Sequence, residues 1–187
     1  MKEVLIEKSR IDLGDYFEFL VSGPKMDLDG APYGGVRFQV EALIDGIRFT
    51  IFDLDIGIGD VWIEPHDNLR LKNYLDFAGF ESPEIEVISI EQHFAEKIHA
   101  YTLPRLNQNS RVKDLVDLYL LIENELLDLK LLKESLEATF KRRETHELPK
   151  KLEAPPESWR RSYEGFNLSQ GMDDSFKKVQ EFFLKIH

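Results

Sequence analysis

Residues 36–44 alternate apolar and polar side chains with period two. Val36, Phe38, Val40 and Ala42 fall on one side, and Arg37, Gln39 and Glu41 on the other. A strand with one buried face reads this way. Asp45-Gly46 follows, a strong signal for a two-residue hairpin turn, and residues 47–56 return as an antiparallel partner. Upstream, residues 16–22 form a short strand candidate ended by Gly23-Pro24, and residues 27–35 are turn-rich. Gly57, Gly59 and Pro65 close the return strand. Residues 66–86 read as a connection with a short helix over 69–77, and residues 87–90 as a short strand.

From there the period changes to that of a helix. Ser89 is placed to cap a helix that starts near Glu91, runs to Thr102 and stops before Pro104. A second helix is predicted over 110–125, with Leu115, Leu118, Tyr119 and Ile122 on one face. A third runs from Asp128 to Arg143. Pro149, Pro155 and Pro156 break the chain into an extended linker over 145–157. The last helix spans 173–186, with Phe176, Val179, Phe182 and Phe183 as its apolar stripe. Strands first and helices afterwards favour an α+β fold over alternating α/β. The strand-rich part covers residues 1–90 and the helical part residues 91–187.

A chain of 187 residues suits one domain of ordinary size. It has no cysteine, which excludes disulfide scaffolds, thiolate metal sites and cysteine nucleophiles. No stretch approaches the roughly 18 apolar residues of a membrane span. The first residues are too acidic for a signal peptide, so a cytoplasmic protein is expected. The net charge of −11 lies entirely in residues 1–100, which hold nine Lys and Arg against 20 Asp and Glu. The remainder is balanced at 15 against 15. Bulk electrostatics therefore oppose phosphate-backbone binding by the first half. Contacts to nucleic acid would come from Lys141, Arg142, Arg143, Lys150, Lys151, Arg160 and Arg161, although a solvated helix face and linker is the plainer reading of these residues.

Two places could carry chemistry. Asp53 and Asp55 lie two residues apart on a strand, so both point to one face and could share a divalent cation such as Mg²⁺, which prefers oxygen ligands. A solvent-facing strand end is the plainer alternative. The second place is the pair of helices carrying Lys97, Asp114 and Asp117. Lysine is a compact point charge suited to a triphosphate. A neighbouring aspartate could orient it or take a proton from an attacking hydroxyl. Spacing alone favours a plainer reading, in which Lys113 pairs with Asp117 and Lys97 is a solvated helix residue. The five histidines show no metal-ligand spacing, and there is no phosphate-binding loop or dinucleotide fingerprint.

Four runs, in this order and with these gaps, carry a resemblance. They are Phe52-Asp-Leu-Asp-Ile-Gly-Ile-Gly-Asp60, Ser89-Ile-Glu-Gln-His-Phe-Ala-Glu-Lys-Ile-His-Ala100, Asn109-Ser-Arg-Val-Lys-Asp-Leu-Val-Asp-Leu118 and Ala138-Thr-Phe-Lys-Arg-Arg143. Together they resemble the AbiEii/AbiGii-type nucleotidyltransferase toxin family. The resemblance implies a partial DNA-polymerase-β-like nucleotidyltransferase fold with a C-terminal helical portion. It implies metal-dependent transfer of a nucleotide from an NTP, with tRNA as acceptor in some relatives, within a toxin–antitoxin or abortive-infection system. By the same resemblance Asp55 is the strand carboxylate near the metal, with Asp53 as alternative. Lys97 lies near the nucleotide phosphates, Asp114 is the last catalytic aspartate, and Arg111 contacts phosphate or braces the loop. The family's first Asp-x-Asp, set behind a Gly-Ser turn and a helix, has no counterpart before Asp53. Asp27-Leu28-Asp29 has the letters without the setting. The expectation is a family member without its leading segment and with little activity of its own. The alternative is a catalytically dead binding module that pairs with an antitoxin, with a missing fragment, or with a second copy through an exposed sheet edge.

Overall fold

The computed structural model describes residues 2–28, 30–73, 76–105, 111–124 and 127–186. Asp29, Asn109 and Ser110, which belong to the runs quoted above, lie outside these. The chain divides into two compact units, residues 1–60 and 61–187.

The first unit is an antiparallel meander preceded by a helix. Helix α1 (Lys2–Ser9) leads to strands β1 (Phe17–Leu28), β2 (Gly35–Ile44) and β3 (Ile47–Gly57), in the order β1-β2-β3. The predicted hairpin is present, with β2 and β3 paired from Gly35 opposite Gly57 to Ile44 opposite Ile47. Asp45 and Gly46 both adopt positive φ, at 49° and 72°. That conformation matches the twist of the flanking strands and favours Asp-Gly. Phe38, Val40 and Ala42 are buried, as the alternation required. Gly35 is needed for a close approach: a Cβ there would lie 2.5 Å from the Ile56 carbonyl oxygen.

β1 corrects the expectation that Gly23-Pro24 ends its strand. It continues to Leu28, with register shifts between Val21 and Pro24 and between Pro24 and Met26. β1 lies at the edge of the sheet, and an edge strand with a bulge is where a sheet accommodates proline.

The second unit opens with a small ribbon, β4 (Asp67–Arg70) paired antiparallel with β5 (Glu84–Val87). The helix expected over 69–77 is therefore replaced by strand at Leu69, with only a 3-10 turn at Asp76–Ala78. The strand expected over 87–90 lies earlier, because Ser89 is already the cap of a helix. Its side chain accepts a hydrogen bond from the Gln92 N–H, and α2 spans Ile90–Thr102. Helix α3 (Val112–Asn124) and helix α4 (Leu129–Arg143) follow, α4 capped by the Asp128 carboxylate. The buried Glu91 accepts from the Asp128 N–H at 2.9 Å and so ties the start of α2 to the start of α4.

The proline-rich stretch is a packed strap. Leu152 is buried, its N–H donates to Gln180, and the Tyr101 hydroxyl donates to the Glu153 carbonyl at 2.7 Å. A 3-10 turn (Glu157–Trp159) and α5 (Arg160–Glu164), neither expected, then bury Trp159 and Tyr163. Helix α6 (Met172–Leu184) closes the unit, with Val179 and Phe183 buried and Phe176 and Phe182 packed beside them. The result is α+β with antiparallel sheets. No helix among the described residues is long and apolar enough to cross a membrane.

Candidate functional site

The second unit assembles a charged cluster from two helices. α2 is apolar where it faces the core, at Phe94, Ala95, Ile98 and Tyr101, which leaves His93 and Lys97 on another part of its surface. α3 buries Val112, Leu115, Val116, Leu118 and Tyr119, and carries Asp114 and Asp117 one turn apart. Lys97 Nζ lies 2.6 Å from Asp117 Oδ2 and 3.2 Å from Asp114 Oδ1. Asp114 is only 6% exposed, against 24% for Lys97. The Arg111 guanidinium is 3.8 Å from Asp114 Oδ2. Lys97 thus joins the two aspartates across the helices, and the plainer expectation of a solvated Lys97 gives way to this pairing.

The electrostatics follow from the packing. Burial works against the charged form of Lys97, but hydrogen bonds and charge from Asp117 and Asp114 outweigh it and raise its pKa. His93, one turn earlier on α2, is held below the ordinary imidazole range, first by burial and then by the charge of Lys97. Arg105 is lowered by burial and by the neighbouring Arg111. A cleft of about 530 Å³ opens beside the cluster. It is lined by Lys97, Arg105, Arg111, Lys113, Asp114 and Asp117, with Val112, Ser162 and Phe166 completing the wall. Four cations against two carboxylates, at the start of a helix whose first N–H groups attract anions, make a surface suited to a phosphate chain. Arg105, Asp117, Ser162 and Phe166 were not singled out as site residues by sequence reasoning, although Asp117 was visible as the partner one turn from Asp114.

A profile described as "Nucleotidyl transferase AbiEii toxin, Type IV TA system" matches residues 1–183. The chain belongs to the AbiEii nucleotidyl transferase toxin family. No curated protein matches it. Membership gives the chain a toxin nucleotidyltransferase-like role, with an antitoxin as counterpart in a system of that type.

The other AbiEii-family candidates lie in the first unit. Asp53 and Asp55 do share one face of β3, as the period-two geometry requires. Both are engaged by cations. Arg37, opposite Asp55 in the β2–β3 register, forks onto it with Nε and Nη2 each at 2.6 Å. Lys25 holds Asp53 at 3.0 and 3.1 Å. The hydrogen bond from Arg37 keeps the Asp55 carboxyl below its usual range. A divalent cation at this pair would have to displace Arg37 and Lys25. Among the described residues no three side chains of metal-ligating type cluster, so the pair as it stands does not fit a resident metal ion.

The remaining charged groups have structural partners. His66 bridges Glu64 and Glu86. His99 Nε2 lies 2.8 Å from Thr145 Oγ1, and His146 Nε2 lies 2.8 Å from Thr102 Oγ1. Arg160 is shared by Glu157 and Asp173. Lys141, Arg142 and Arg143 occupy the last turn of α4, where cations complement the negative end of a helix.

Proposed function

We propose that the chain transfers a nucleotide from an NTP to a hydroxyl acceptor in the cytoplasm, using the Lys97–Asp114–Asp117 cluster and its cationic cleft. The observation that carries this reading is Lys97 held between two aspartates beside Arg105, Arg111 and Lys113. An ammonium has three N–H donors. Two are committed to Asp114 and Asp117, which leaves one directed by its neighbours for a phosphate oxygen. Buried Asp114 orients the lysine, and the more exposed Asp117 takes the proton of the attacking hydroxyl. The hydroxyl oxygen forms a bond to the α-phosphorus, the bond from that phosphorus to the bridging oxygen breaks, and pyrophosphate leaves. Mg²⁺ enters as the counterion of the nucleotide, and no step depends on a metal held at Asp53 and Asp55. The family's tRNA acceptors suggest tRNA here, and the α+β topology is read as part of a polymerase-β-like fold.

The test is calorimetric titration of each Mg·NTP into wild type and Lys97→Ala, followed by transfer of α-labelled nucleotide to tRNA. Lys97→Arg and circular dichroism control for folding. Binding lost in Lys97→Ala but kept in Lys97→Arg supports the site. Binding unchanged in a folded Lys97→Ala protein removes it.

A second reading is supported by one observation. β3 is an edge strand of its sheet, and Ile47, Phe49, Ile51 and Phe52 on it are exposed. An edge of this kind pairs readily with another strand. In that reading the chain binds a cognate antitoxin or a second copy of itself. Sedimentation equilibrium of wild type against Ile51→Lys decides whether β3 forms a dimer: a concentration-dependent mass abolished by the lysine supports it, and a monomer in both removes it.

A further inference from the structure

We propose that Phe166 is the platform on which the nucleotide base stacks, so that the cleft binds a base together with a phosphate chain. This inference rests on the reading that the cleft takes an NTP. Phe166 follows Gly165 at the end of α5, and its N–H donates to the Tyr163 carbonyl at 3.0 Å. Trp159 and Tyr163, just before it, are buried at 4% and 2% exposure, whereas the Phe166 ring is 39% exposed. This aromatic ring is left partly in water on the wall of a cleft whose other side chains are mainly charged. A scattered apolar residue on a surface needs no explanation. An exposed aromatic face beside four cations matches a ligand that is flat and apolar at one end and polyanionic at the other. Every nucleobase has a π-face, so stacking holds the base without selecting it. Ser162, on the same wall, adds a hydroxyl that donates or accepts toward a sugar or a base edge.

The experiment compares the affinity of Mg·ATP and Mg·CTP with that of Mg·triphosphate, which has no base, in wild type, Phe166→Ala, Phe166→Trp and Lys97→Ala. The expected result is that Phe166→Ala weakens both nucleotides by about tenfold and leaves triphosphate unchanged, while Phe166→Trp restores nucleotide binding. Lys97→Ala weakens all three ligands. Equal loss of nucleotide and triphosphate in Phe166→Ala, or no loss of either, overturns the stacking role while leaving the phosphate site standing. Wild type that binds neither nucleotide nor triphosphate overturns the NTP reading and the platform with it.

Discussion

The two units each hold a pair of aspartates on one face of one element, and the pairs behave differently. On β3, Asp53 and Asp55 are each matched by their own cation, Lys25 and Arg37, and the partners are open to water. On α3, Asp114 and Asp117 share one lysine, and Asp114 is buried. Exposed pairs contribute little because solvent screens them and their side chains lose entropy. A buried carboxylate depends strongly on its partner, since removing the partner leaves an uncompensated charge. The same sequence feature, two aspartates on one face, is therefore a neutralised surface pair in one unit and a poised, strained-for-charge cluster in the other.

The largest expected effect comes from separating Lys97 from its partners. Lys97→Met should destabilise the protein by about 3 kcal/mol, the low end for breaking a buried pair because Lys97 is partly exposed. Urea denaturation measures it, and a change below about 1 kcal/mol would erase the contrast between the two pairs. Next comes acid. His99 is buried, and its pKa is lowered to about 4 by burial first, then by Arg143 and His146. The unfolded chain binds this proton from about pH 6.5 downward while the folded chain does not, so stability falls as pH drops from 6.5 toward 4. At pH 5 the loss attributable to His99 is about 2 kcal/mol, and His99→Gln should flatten that part of the profile in pH-dependent melting. Ser89→Ala removes a helix cap and should cost about 1 kcal/mol, read from the urea midpoint. The smallest effect belongs to the exposed pair. Asp55→Asn should leave the thermal midpoint unchanged within error, and it should also leave Mg·NTP affinity unchanged. A large loss of affinity would return Asp55 to the site.

The sequence made legible what short-range rules decide. The 36–56 hairpin was readable because alternation and an Asp-Gly turn act locally. The Ser89 and Asp128 caps were readable for the same reason, as was the stripe of α6. What escaped depends on the rest of the molecule. β1 runs through Gly23-Pro24 because an edge strand with a bulge has room for proline, which no local pattern announces. β4 and β5 are four polar-rich residues each, too short for alternation to show. The strap is packed because Leu152, Trp159 and Tyr163 find the core, a tertiary outcome. At the site, Lys97 and Asp114 were legible through family resemblance. Their pairing and the role of Asp117 were not, because α2 and α3 bring them together across 17 and 20 residues of chain.

The strap also sets how the chain responds to being cut. Lys150 and Lys151 are exposed, while the residues on both sides are anchored, Leu152 to Gln180 on α6 and Glu153 to Tyr101 on α2. A tryptic nick at this dibasic step would sever one peptide bond and release little structure. The fragment after it would stay docked through α6, whose Val179 and Phe183 are fully buried. Residues 150 and 151 are accordingly a natural seam for dividing the protein into two genes whose products reassemble, with the Lys97 cluster carried by the first piece and the Phe166 wall by the second.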